Sequence, residues 1–483
     1  MNEKMIDLKN LTIEKAHADL VAGVYTVTEL AQAYLNVITE KNADINAYVE
    51  VYTDVLDQAK HAEEMFKNGT ATILTGIPIS IKDNIVIKGK ESTGGSDILK
   101  GHISIYDATI ISELKKSGAV LLGRTNMDDS AMGSSTETSC YGPTKNPLAT
   151  DRVPGGSSGG PVASVAMDGA LAAFASDTGG SIRQPAAYTG LVGLKPTYGT
   201  VSRYGLMALA SSFDQIGPVA KNVADAEILF NTTNVYDTMD STSVPMAKRI
   251  CKKIENNNSG SRVKIIGIPT SWVKGEGIEE SIKKNFEETC AKLKNAGYEL
   301  VDIELPLTEH SLAVYYIILP AEASSNLARY DGMRYGLSLP GKDLLETYKK
   351  TRGVGFGKEV RRRIMLGTYV LSHGYYDAYY GSAVKVQNAI RKEIANVFEK
   401  VDVIMTPTAP TLAFKFGEKM NDPMAMKLSD LFTVPANVSG CPAISIPSGK
   451  ADNNLVHSIQ FMAPHFGEEL LFEIGKKCED LLS

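Results

Sequence analysis

The stretch from Asp151 to Tyr198 constrains the fold of this chain more than any other part of it. It contains two glycine-rich loops that carry serine, GGSSGG at residues 155–160 and DTGGS at residues 177–181. Glycine has no Cβ and permits positive φ, so the backbone N–H groups of such loops can come close to a ligand. The small residues between the loops, 162–173, predict a tightly packed buried helix. Two serines on such backbone are typical of a nucleophile and its proton relay.

The composition of the chain excludes several classes of protein. Its net charge is −6 over 483 residues, which argues against a surface whose main task is to hold a phosphate backbone. The five cysteines are odd in number and scattered, which excludes a CxxC zinc knuckle and favours thiols in a reducing compartment. No apolar signal region opens the chain, and no run long enough to span a bilayer occurs. We therefore expect a soluble, cytoplasmic protein without membrane contact or a metal site.

Hydrophobic periodicity predicts strands that alternate with helices. Residues 11–66 have a helical pattern, with a capping box at Thr26 and Glu29. The predicted strands are residues 76–82, 119–126, 263–269, 298–306, 401–410 and 441–449. The other predicted elements are helices at 108–118, 279–297 and across most of 313–400, and a surface loop at 235–262. This alternation indicates an α/β fold with a parallel or mixed sheet.

The GGSSGG loop matches two known motifs only superficially. Gly155 and Gly160 have the spacing of a P-loop, but Pro161 and Val162 follow where a P-loop requires Lys and then Ser or Thr. The loop also fits GxSxG, the nucleophile elbow of hydrolases, which must follow a buried strand. The preceding residues, 145–154, are polar and interrupted by proline, so this match has little weight.

A serine nucleophile needs a base, and lysine is a better candidate here than histidine. The central block contains no histidine, so His373 or His465 would have to come from a distant part of the chain. Lys82 follows three alternating isoleucines at the end of a predicted buried strand. Burial there can lower a lysine pKa by up to about 3–5 units, which supplies neutral amine. The alternative is that Lys82 pairs with Asp83 at an exposed strand end, and the strand alone does not decide between the two.

Three segments together resemble the amidase signature family: GIPISIKDN at 76–84, GGSSGG at 155–160 and SDTGGSIRQPAAYTGLVGLKPTYG at 176–199. The resemblance covers nearly the whole chain. It implies an α/β amidase-signature fold, a large mixed sheet covered by helices on both faces, in a single domain of residues 1–483. The segments expected within it are helices at 1–70, the catalytic core at 71–232, an excursion to the substrate pocket at 233–400 and closing strands with a helix at 401–483.

The family uses a Lys–Ser–Ser triad, which can be placed on this chain residue by residue. Ser181 resembles the nucleophile, Ser157 the bridging serine after a cis peptide, and Lys82 the base. Neutral Lys82 would accept the proton of Ser157 while Ser157 accepts that of Ser181, a relay that needs no imidazole. An oxyanion hole is implied for the backbone N–H groups of Thr178, Gly179, Gly180 and Ser181. Such a donor is typically worth about 3–4 kcal/mol.

Within this family, the chain resembles one branch in particular, the glutamine-hydrolysing subunits of tRNA-dependent amidotransferases. The stretches that carry this resemblance include NMDDSAMGSSTETS, VSRYGLMALASSFDQIGP and DVIMTPTAP. The resemblance implies glutamine as the substrate. Arg363 resembles the partner of its α-carboxylate, Asp430 the partner of its α-ammonium, and Tyr315 a wall of the pocket. Arginine can bind a carboxylate through two parallel hydrogen bonds. For Arg361 and Arg362 we expect a solvated helix face.

The same resemblance implies partners for this chain. We expect B and C subunits in a heterotrimer that converts Glu-tRNA(Gln) to Gln-tRNA(Gln). ATP and Mg²⁺ would act in the partner that also makes most of the tRNA contact, with no cofactor in this chain. Two alternatives stay open: a stand-alone amidase that hydrolyses a small amide in a different pocket, and a catalytically silent scaffold.

Two positions depart from the family pattern. Pro161 stands where Ser or Ala is usual, and we expect it to be tolerated in the first turn of a helix, where the missing N–H has no intrahelical partner. Residues 456–460, VHSIQ, replace Pro-x-Gly-x-Gln. The resemblance therefore leaves the edge of the last strand undetermined.

Overall fold

The computed structural model describes residues 6–251, 263–420 and 422–482. Within these residues one sheet contains every named strand, in the chain order β1 (Tyr48–Val51), β2 (Pro78–Lys82), β3 (Val120–Thr125), β4 (Ala172–Asp177), β5 (Val192–Lys195), β6 (Gln215–Ala220), β7 (Ile265–Ile268), β8 (Glu299–Asp302), β9 (Val403–Pro407), β10 (Ala443–Lys450) and β11 (Val456–Met462). The spatial order of the 11 strands is β1-β3-β2-β4-β6-β5-β10-β11-β9-β7-β8.

The α-helices of the described residues connect these strands. They are α1 (Ile13–Val21), α2 (Val27–Ile45), α3 (Val55–Lys67), α4 (Thr109–Lys116), α5 (Gly159–Ala166), α6 (Arg183–Thr189), α7 (Val223–Thr233), α8 (Thr270–Val273), α9 (Glu280–Asn295), α10 (Ser311–Asn326), α11 (Leu344–Gly355), α12 (Lys358–Val370), α13 (Ser382–Phe398), α14 (Pro423–Leu428), α15 (Val434–Ser439) and α16 (Glu468–Leu482). No helix in the described ranges is both long enough and apolar enough to cross a membrane.

The sheet is mixed, and its parallel part positions the site. Strand β2 lies between β3 and β4 and runs parallel to both, so Lys82, Thr125 and Asp177 end three neighbouring strands at one edge. Strand β7 is parallel to β8 and β9, and the other neighbours pair antiparallel. In open α/β sheets, ligands bind at the carboxyl ends of parallel strands. The sheet therefore brings the end of the GIPISIK strand next to the start of the DTGGS loop.

Two large apolar clusters cover the two faces of the sheet. On β9, Val403 and Met405 belong to one cluster, and Ile404 between them belongs to the other. Successive side chains of a strand point to opposite faces, so the clusters lie on opposite sides of the sheet. Helices α1, α2, α3, α7 and α16 contribute to the first cluster, and α10 and α13 contribute to the second. The expected α/β layout with helices on both faces is confirmed.

Local sequence signals predicted most elements correctly. The capping box is present: Thr26 accepts a hydrogen bond from the Glu29 N–H at 3.1 Å, and the Glu29 carboxylate accepts one from the Thr26 N–H at 2.7 Å. Each of the six predicted strands overlaps a strand of the sheet, and helices α4 and α9 lie where their patterns predicted them.

Three predictions are wrong or incomplete. The helical region at 11–66 also contains β1, which pairs antiparallel with β3 through a long-range contact that local periodicity does not show. The helix predicted at 162–173 ends at Ala166, because the chain turns at Asp168 with φ 61 and enters β4 at Ala172. In the loop predicted at 235–262, residues 235–251 form loop and a short 3-10 turn at Met246–Lys248, and residues 252–262 lie outside the described ranges.

Candidate active site

Lys82 lies fully buried at the end of β2, and its amine is surrounded by hydroxyl groups. Its Nζ is 2.9 Å from Ser157 Oγ, 2.7 Å from Ser158 Oγ and 3.0 Å from Ser176 Oγ. Ser157 and Ser158 belong to the GGSSGG loop, and Ser176 belongs to β4. The structure therefore joins the predicted base directly to the predicted relay serine.

The environment of Lys82 favours its neutral form. Burial lowers the pKa of Lys82 to about 7, although the charges of Asp128, Asp177 and Asp214 oppose this shift. Without a carboxylate in hydrogen-bonding contact, the ammonium form gains too little to offset its desolvation. Near neutral pH a large fraction of Lys82 is therefore free amine, which a general base requires.

The alternative pairing of Lys82 with Asp83 is wrong. The Asp83 carboxylate instead accepts a hydrogen bond from Arg124 Nη1 at 3.0 Å and from the N–H groups of Thr93 and Gly95 at 3.1 and 3.0 Å. Asp83 is also buried rather than placed at an exposed strand end. The two neighbouring charges thus belong to different networks.

The GGSSGG loop is held against the DTGGS loop by one glutamine. Ser157 is fully buried, and the Gly156–Ser157 peptide bond is cis, as the resemblance implied. The Gly156 N–H donates a hydrogen bond to Gln184 Oε1 at 3.0 Å, and Gln184 Nε2 donates one to the Ser134 carbonyl at 3.0 Å. Because Gln184 lies in α6, three residues after Ser181, these bonds bring the two serine loops together.

The Asp177 carboxylate organises the loop that carries Ser181. It accepts hydrogen bonds from the N–H of Gly180 at 2.8 Å and from the N–H of Ile182 at 3.2 Å. The Gly180 donor of the predicted oxyanion hole is therefore committed to Asp177. The N–H groups of Gly179 and Ser181 have no acceptor among the described residues. An oxyanion hole that uses them stays a prediction, as does the role of Thr178.

Asp177 is itself fixed by a fully buried ion pair with Arg183. The guanidinium Nε and Nη2 each lie 3.0 Å from a carboxylate oxygen of Asp177. Arg183 also donates to the Thr433 carbonyl at 2.8 Å, to Gln460 Oε1 at 3.1 Å and to Asn437 Oδ1 at 2.7 Å. Burial raises the pKa of Asp177, but the charge of Arg183 and its hydrogen bonds outweigh burial and hold the pKa at about 2. The pair ties the Ser181 loop to α15 and β11.

Two glycines allow this loop to touch its neighbours. A Cβ on Gly179 would lie 2.4 Å from the hydroxyl oxygen of Tyr315, and a Cβ on Gly180, whose φ is 132, would lie 2.3 Å from Thr433 Oγ1. Thr433 Oγ1 donates a hydrogen bond to the Gly179 carbonyl at 2.7 Å. Tyr315 is thus buried against the Ser181 loop, but it does not line the cavity that contains Arg363, and its role as a wall of the substrate pocket stays a prediction.

Ser181 differs from the other two triad residues in its exposure. Ser181 is half-buried, whereas Lys82 and Ser157 are fully buried. Of the three predicted triad residues, Ser181 is therefore the one that solvent can reach. No hydrogen bond joins Ser157 to Ser181 within the described part of the chain, so this link of the relay stays a prediction.

A cavity of about 410 Å³ contains the predicted carboxylate partner, Arg363. Arg363 Nε donates a hydrogen bond to Glu359 Oε1 at 2.7 Å, one helical turn earlier in α12. Its two terminal nitrogens have no acceptor among the described residues. Arg361 is exposed, as expected, but Arg362 is half-buried, lines the cavity and pairs with both oxygens of Glu359.

Asp430, the predicted ammonium partner, is buried beside this cavity. It accepts hydrogen bonds from Tyr316 Oη at 2.7 Å and from Ser134 Oγ at 3.1 Å. Burial raises the pKa of Asp430 to about 6, although these hydrogen bonds and the charge of Arg363 act in the opposite direction. Tyr316 also lines the cavity, with its ring centroid 5.8 Å from Arg363 Cζ. Tyr316 therefore connects the two predicted charge partners.

Comparison with known proteins identifies the family of this chain. Residues 29–472 match the model of the amidase family. The chain belongs to the amidase family. Its relatives include the A subunit of the glutamyl-tRNA(Gln) amidotransferase of Thermoanaerobacter pseudethanolicus, 48% identical over 98% of this chain and 97% of that protein. The protein of the same name from Brucella suis is 48% identical over 98% of each chain.

A solved amidase-family structure has the same fold. The crystal structure of the A subunit of the glutamyl-tRNA(Gln) amidotransferase from Thermotoga maritima superposes with a TM-score of 0.78 at 39% identity, over 97% of this chain and 94% of that one.

Several residues of this amidase site were missed by sequence reasoning. Ser158 and Ser176 contact Lys82, and Gln184 and Asn437 hold the two loops, but none of them stands out by spacing. For Ser158, Ser176 and Gln184 the available signal was their position in the GGSSGG and SDTGGSIRQ segments, and Asn437 lies in neither. We searched the sequence for a nucleophile, a base and oxyanion donors, and residues that only position these groups do not match such a search.

The structure also places the two alternative histidines and the two positions that depart from the family pattern. His465 lies 3.0 Å from the Ser439 carbonyl and His373 is exposed, so the structure gives neither a contact with the triad. Pro161 is the third residue of α5, in the first turn as expected. Residues 456–460 lie in β11, which is paired on both sides by β10 and β9 and is therefore an interior strand.

Proposed function

We propose that this chain is the glutamine-hydrolysing A subunit of a glutamyl-tRNA(Gln) amidotransferase. The observation that carries the proposal is the buried Lys82 amine, 2.9 Å from Ser157 Oγ, with a pKa lowered by burial to about 7. This is the chemistry of a lysine base acting on a hydroxyl. Relatives 48% identical over nearly their full length bear the name of this component, which supports the choice within the family.

The proposed reaction begins with a proton relay. Neutral Lys82 accepts the proton of Ser157, and Ser157 accepts the proton of Ser181 as the Ser181 oxygen attacks the side-chain amide carbon of glutamine. Backbone N–H groups stabilise the oxyanion, and the nitrogen leaves as ammonia when a proton returns through the relay. Water then attacks the acyl-enzyme, and glutamate and free Ser181 result.

The cavity supports an amino acid as the substrate. The terminal nitrogens of Arg363 can bind the α-carboxylate, since Glu359 occupies only its Nε. Burial raises the pKa of Asp430 to about 6 against its hydrogen bonds and the charge of Arg363, and a cation bound at Asp430 would favour the ionised carboxylate. With Tyr315 as the third contact, the pocket would fix both charged ends of glutamine while its amide lies at Ser181.

The partners belong to the same proposal. We place this chain in a heterotrimer with B and C subunits in the cytoplasm. Ammonia released at Ser181 would pass to a partner chain that binds ATP and Mg²⁺ and activates the carboxylate of Glu-tRNA(Gln). The net charge of −6 supports a minor role for this chain in tRNA contact.

Copurification from the native host tests the proposal. We expect the tagged chain to retain two partner chains, identified by mass, and the assembly to hydrolyse glutamine in preference to simple amides. A chain that purifies alone and hydrolyses simple amides faster than glutamine would instead be a stand-alone amidase. Failure of a serine-directed label to modify Ser181 would favour a silent scaffold.

A further inference from the structure

Asn84 lies two residues after Lys82 and belongs to no part of the triad. Its side chain is buried, and its Nδ2 donates a hydrogen bond to Ser176 Oγ at 2.9 Å. Ser176 Oγ is in turn 3.0 Å from Lys82 Nζ. The Ser176 hydroxyl thus connects Asn84 to Lys82. Asn84 does not line the cavity that contains Arg363.

The hydroxyls around Lys82 are not equivalent. An ammonium group has three N–H donors, which match Ser157, Ser158 and Ser176, but a neutral amine has two donors and one lone pair. Ser158 Oγ donates to the Ser176 carbonyl at 3.2 Å, and Ser176 Oγ is held by Asn84. Ser157 Oγ has no second partner among the described residues. Ser158 and Ser176 are therefore each fixed by a second contact, whereas Ser157 Oγ is not.

We propose that Asn84 is a positioning residue for glutamine hydrolysis, which fixes Ser176 and through it holds the Lys82 amine within hydrogen-bonding distance of Ser157. The proposal rests on the proposed function only in naming glutamine as the substrate. Removing the Asn84 amide leaves the Ser176 side chain free to rotate, and Lys82 Nζ then loses one of the fixed contacts that keep it beside Ser157. The base then spends less time in the geometry that proton transfer requires.

The second polar atom of Asn84 faces no protein group. Asn84 Oδ1 is buried without a hydrogen-bond partner in the described structure. Asn84 borders a small cavity of about 20 Å³, enough for one water molecule. A water there would satisfy Oδ1 and leave the amide nitrogen for Ser176.

A charge at this position should act on Lys82 directly. The carboxylates that already act on Lys82 are Asp128, Asp177 and Asp214, and the adjacent Asp83 is paired with Arg124. Asn84→Asp keeps the shape of the side chain and adds a carboxylate beside Ser176. It should favour the ammonium form of Lys82, so the acid limb of kcat/KM should move upward by about one pH unit or more.

The experiment compares two variants with a matched control in the assembled complex. Asn84→Ala should lower kcat by about 10-fold to 100-fold with KM within about twofold. Asn84→Asp should lose about tenfold in kcat/KM near the pKa of Lys82 and recover activity at higher pH. Asn285→Ala removes another Asn–Ser pair, since Asn285 Oδ1 accepts from Ser448 Oγ at 2.6 Å, and should leave kcat and the pH limb unchanged.

A second readout separates this proposal from the proposed function. The rate at which phenylmethylsulfonyl fluoride labels Ser181 reports the Lys82 relay without glutamine, and its pH limb should shift in Asn84→Asp as kcat/KM does. If the wild type is labelled but does not hydrolyse glutamine, the proposed function fails and the labelling data still decide the role of Asn84. Folded variants that keep the wild-type labelling rate and pH limb would overturn the proposal. Variants that lose thermal stability without a shift in the pH dependence of labelling would show that Asn84 is only structural, which would also overturn the proposal.

Discussion

Gln184 Oε1 accepts a hydrogen bond from the Gly156 N–H at 3.0 Å, and this contact joins the loop of Ser157, the proposed relay serine, to the helix that follows Ser181, the proposed nucleophile. The other end of the same amide donates to the Ser134 carbonyl, and Ser134 Oγ donates to Asp430. A single side chain thus links the proton relay to the predicted ammonium partner.

Gln184→Leu should therefore impair catalysis. The change leaves the Gly156 N–H and the Ser134 carbonyl unpaired, which costs about 1–3 kcal/mol of stability for each buried group. Misplacement of Ser157 relative to Ser181 should lower kcat by about 100-fold. Gln58→Leu is the control, because Gln58 bonds the N–H and carbonyl of Leu121 in the same manner at another place. An equal loss of kcat in both variants would contradict a specific role for Gln184.

The pH dependence of the reaction should follow Lys82. The pKa of Lys82 is lowered by burial to about 7, so the active neutral form increases as pH rises through that value. We expect kcat/KM for glutamine to rise from pH about 6 to pH about 8, with an inflection at the Lys82 pKa. Initial rates of glutamine hydrolysis measured across this pH range give the position of the inflection.

Lys82→Met provides the matching variant. It keeps an unbranched side chain and removes the base, so activity should fall by at least about 100-fold across the whole pH range. The stability of the folded protein should change little, because the removed amine was costly to desolvate but its loss also takes a partner from the hydroxyls of Ser157, Ser158 and Ser176. A Lys82→Met enzyme with the wild-type pH limb would show that another group is the base.

Asp177 should contribute to stability in a pH-dependent manner. Its folded pKa of about 2 lies below the ordinary value of 3.8, so its contribution is present above that ordinary value and is lost as pH falls towards 2. Asp177→Asn leaves Arg183 buried without its partner and should cost about 3–5 kcal/mol. Urea unfolding at neutral pH measures the loss. In acid, the difference between the two proteins should shrink, and a constant difference down to pH about 3 would contradict this linkage.

Arg363→Lys should affect binding more than chemistry. Lysine cannot present the two parallel donors that the terminal nitrogens of Arg363 offer to a carboxylate. We expect KM for glutamine to rise by about 10-fold to 100-fold while kcat changes little. Arg361→Lys, on the exposed face of the same helix, should keep the wild-type KM. The assignment of the α-carboxylate to Arg363 fails if both variants bind glutamine like the wild type.

Local patterns in the sequence predicted much of this structure. The Thr26 capping box, the buried strand that ends at Lys82 and the alternating elements of the sheet all follow from residues close together in the chain. The two glycine-rich serine loops were also predicted from the sequence, because clustered glycines next to serine indicate a loop whose backbone comes close to a ligand. The family resemblance supplied the roles of the residues, and the geometry placed Lys82 beside Ser157.

The parts of the fold and of the site that the sequence did not predict depend on contacts between segments far apart in the chain. Strand β1 exists because it pairs with β3, and residues 162–173 divide into helix and strand because β4 must lie between β2 and β6. Arg183 contacts Asn437 and Gln460, which follow it by more than 250 positions. No local periodicity predicts such pairs, and the same is true of the Asn84–Ser176 contact, which is visible only after β2 and β4 pair.

The central claim is that Ser181 hydrolyses glutamine and that its ammonia serves a partner. Ser181→Ala in the reconstituted complex tests it most directly, with glutamine or ammonia as the nitrogen donor for the conversion of Glu-tRNA(Gln). We predict that glutamine-dependent conversion is lost while ammonia-dependent conversion remains at the wild-type rate. Full glutamine-dependent conversion by Ser181→Ala, with ammonia-dependent conversion also unchanged, would contradict the account.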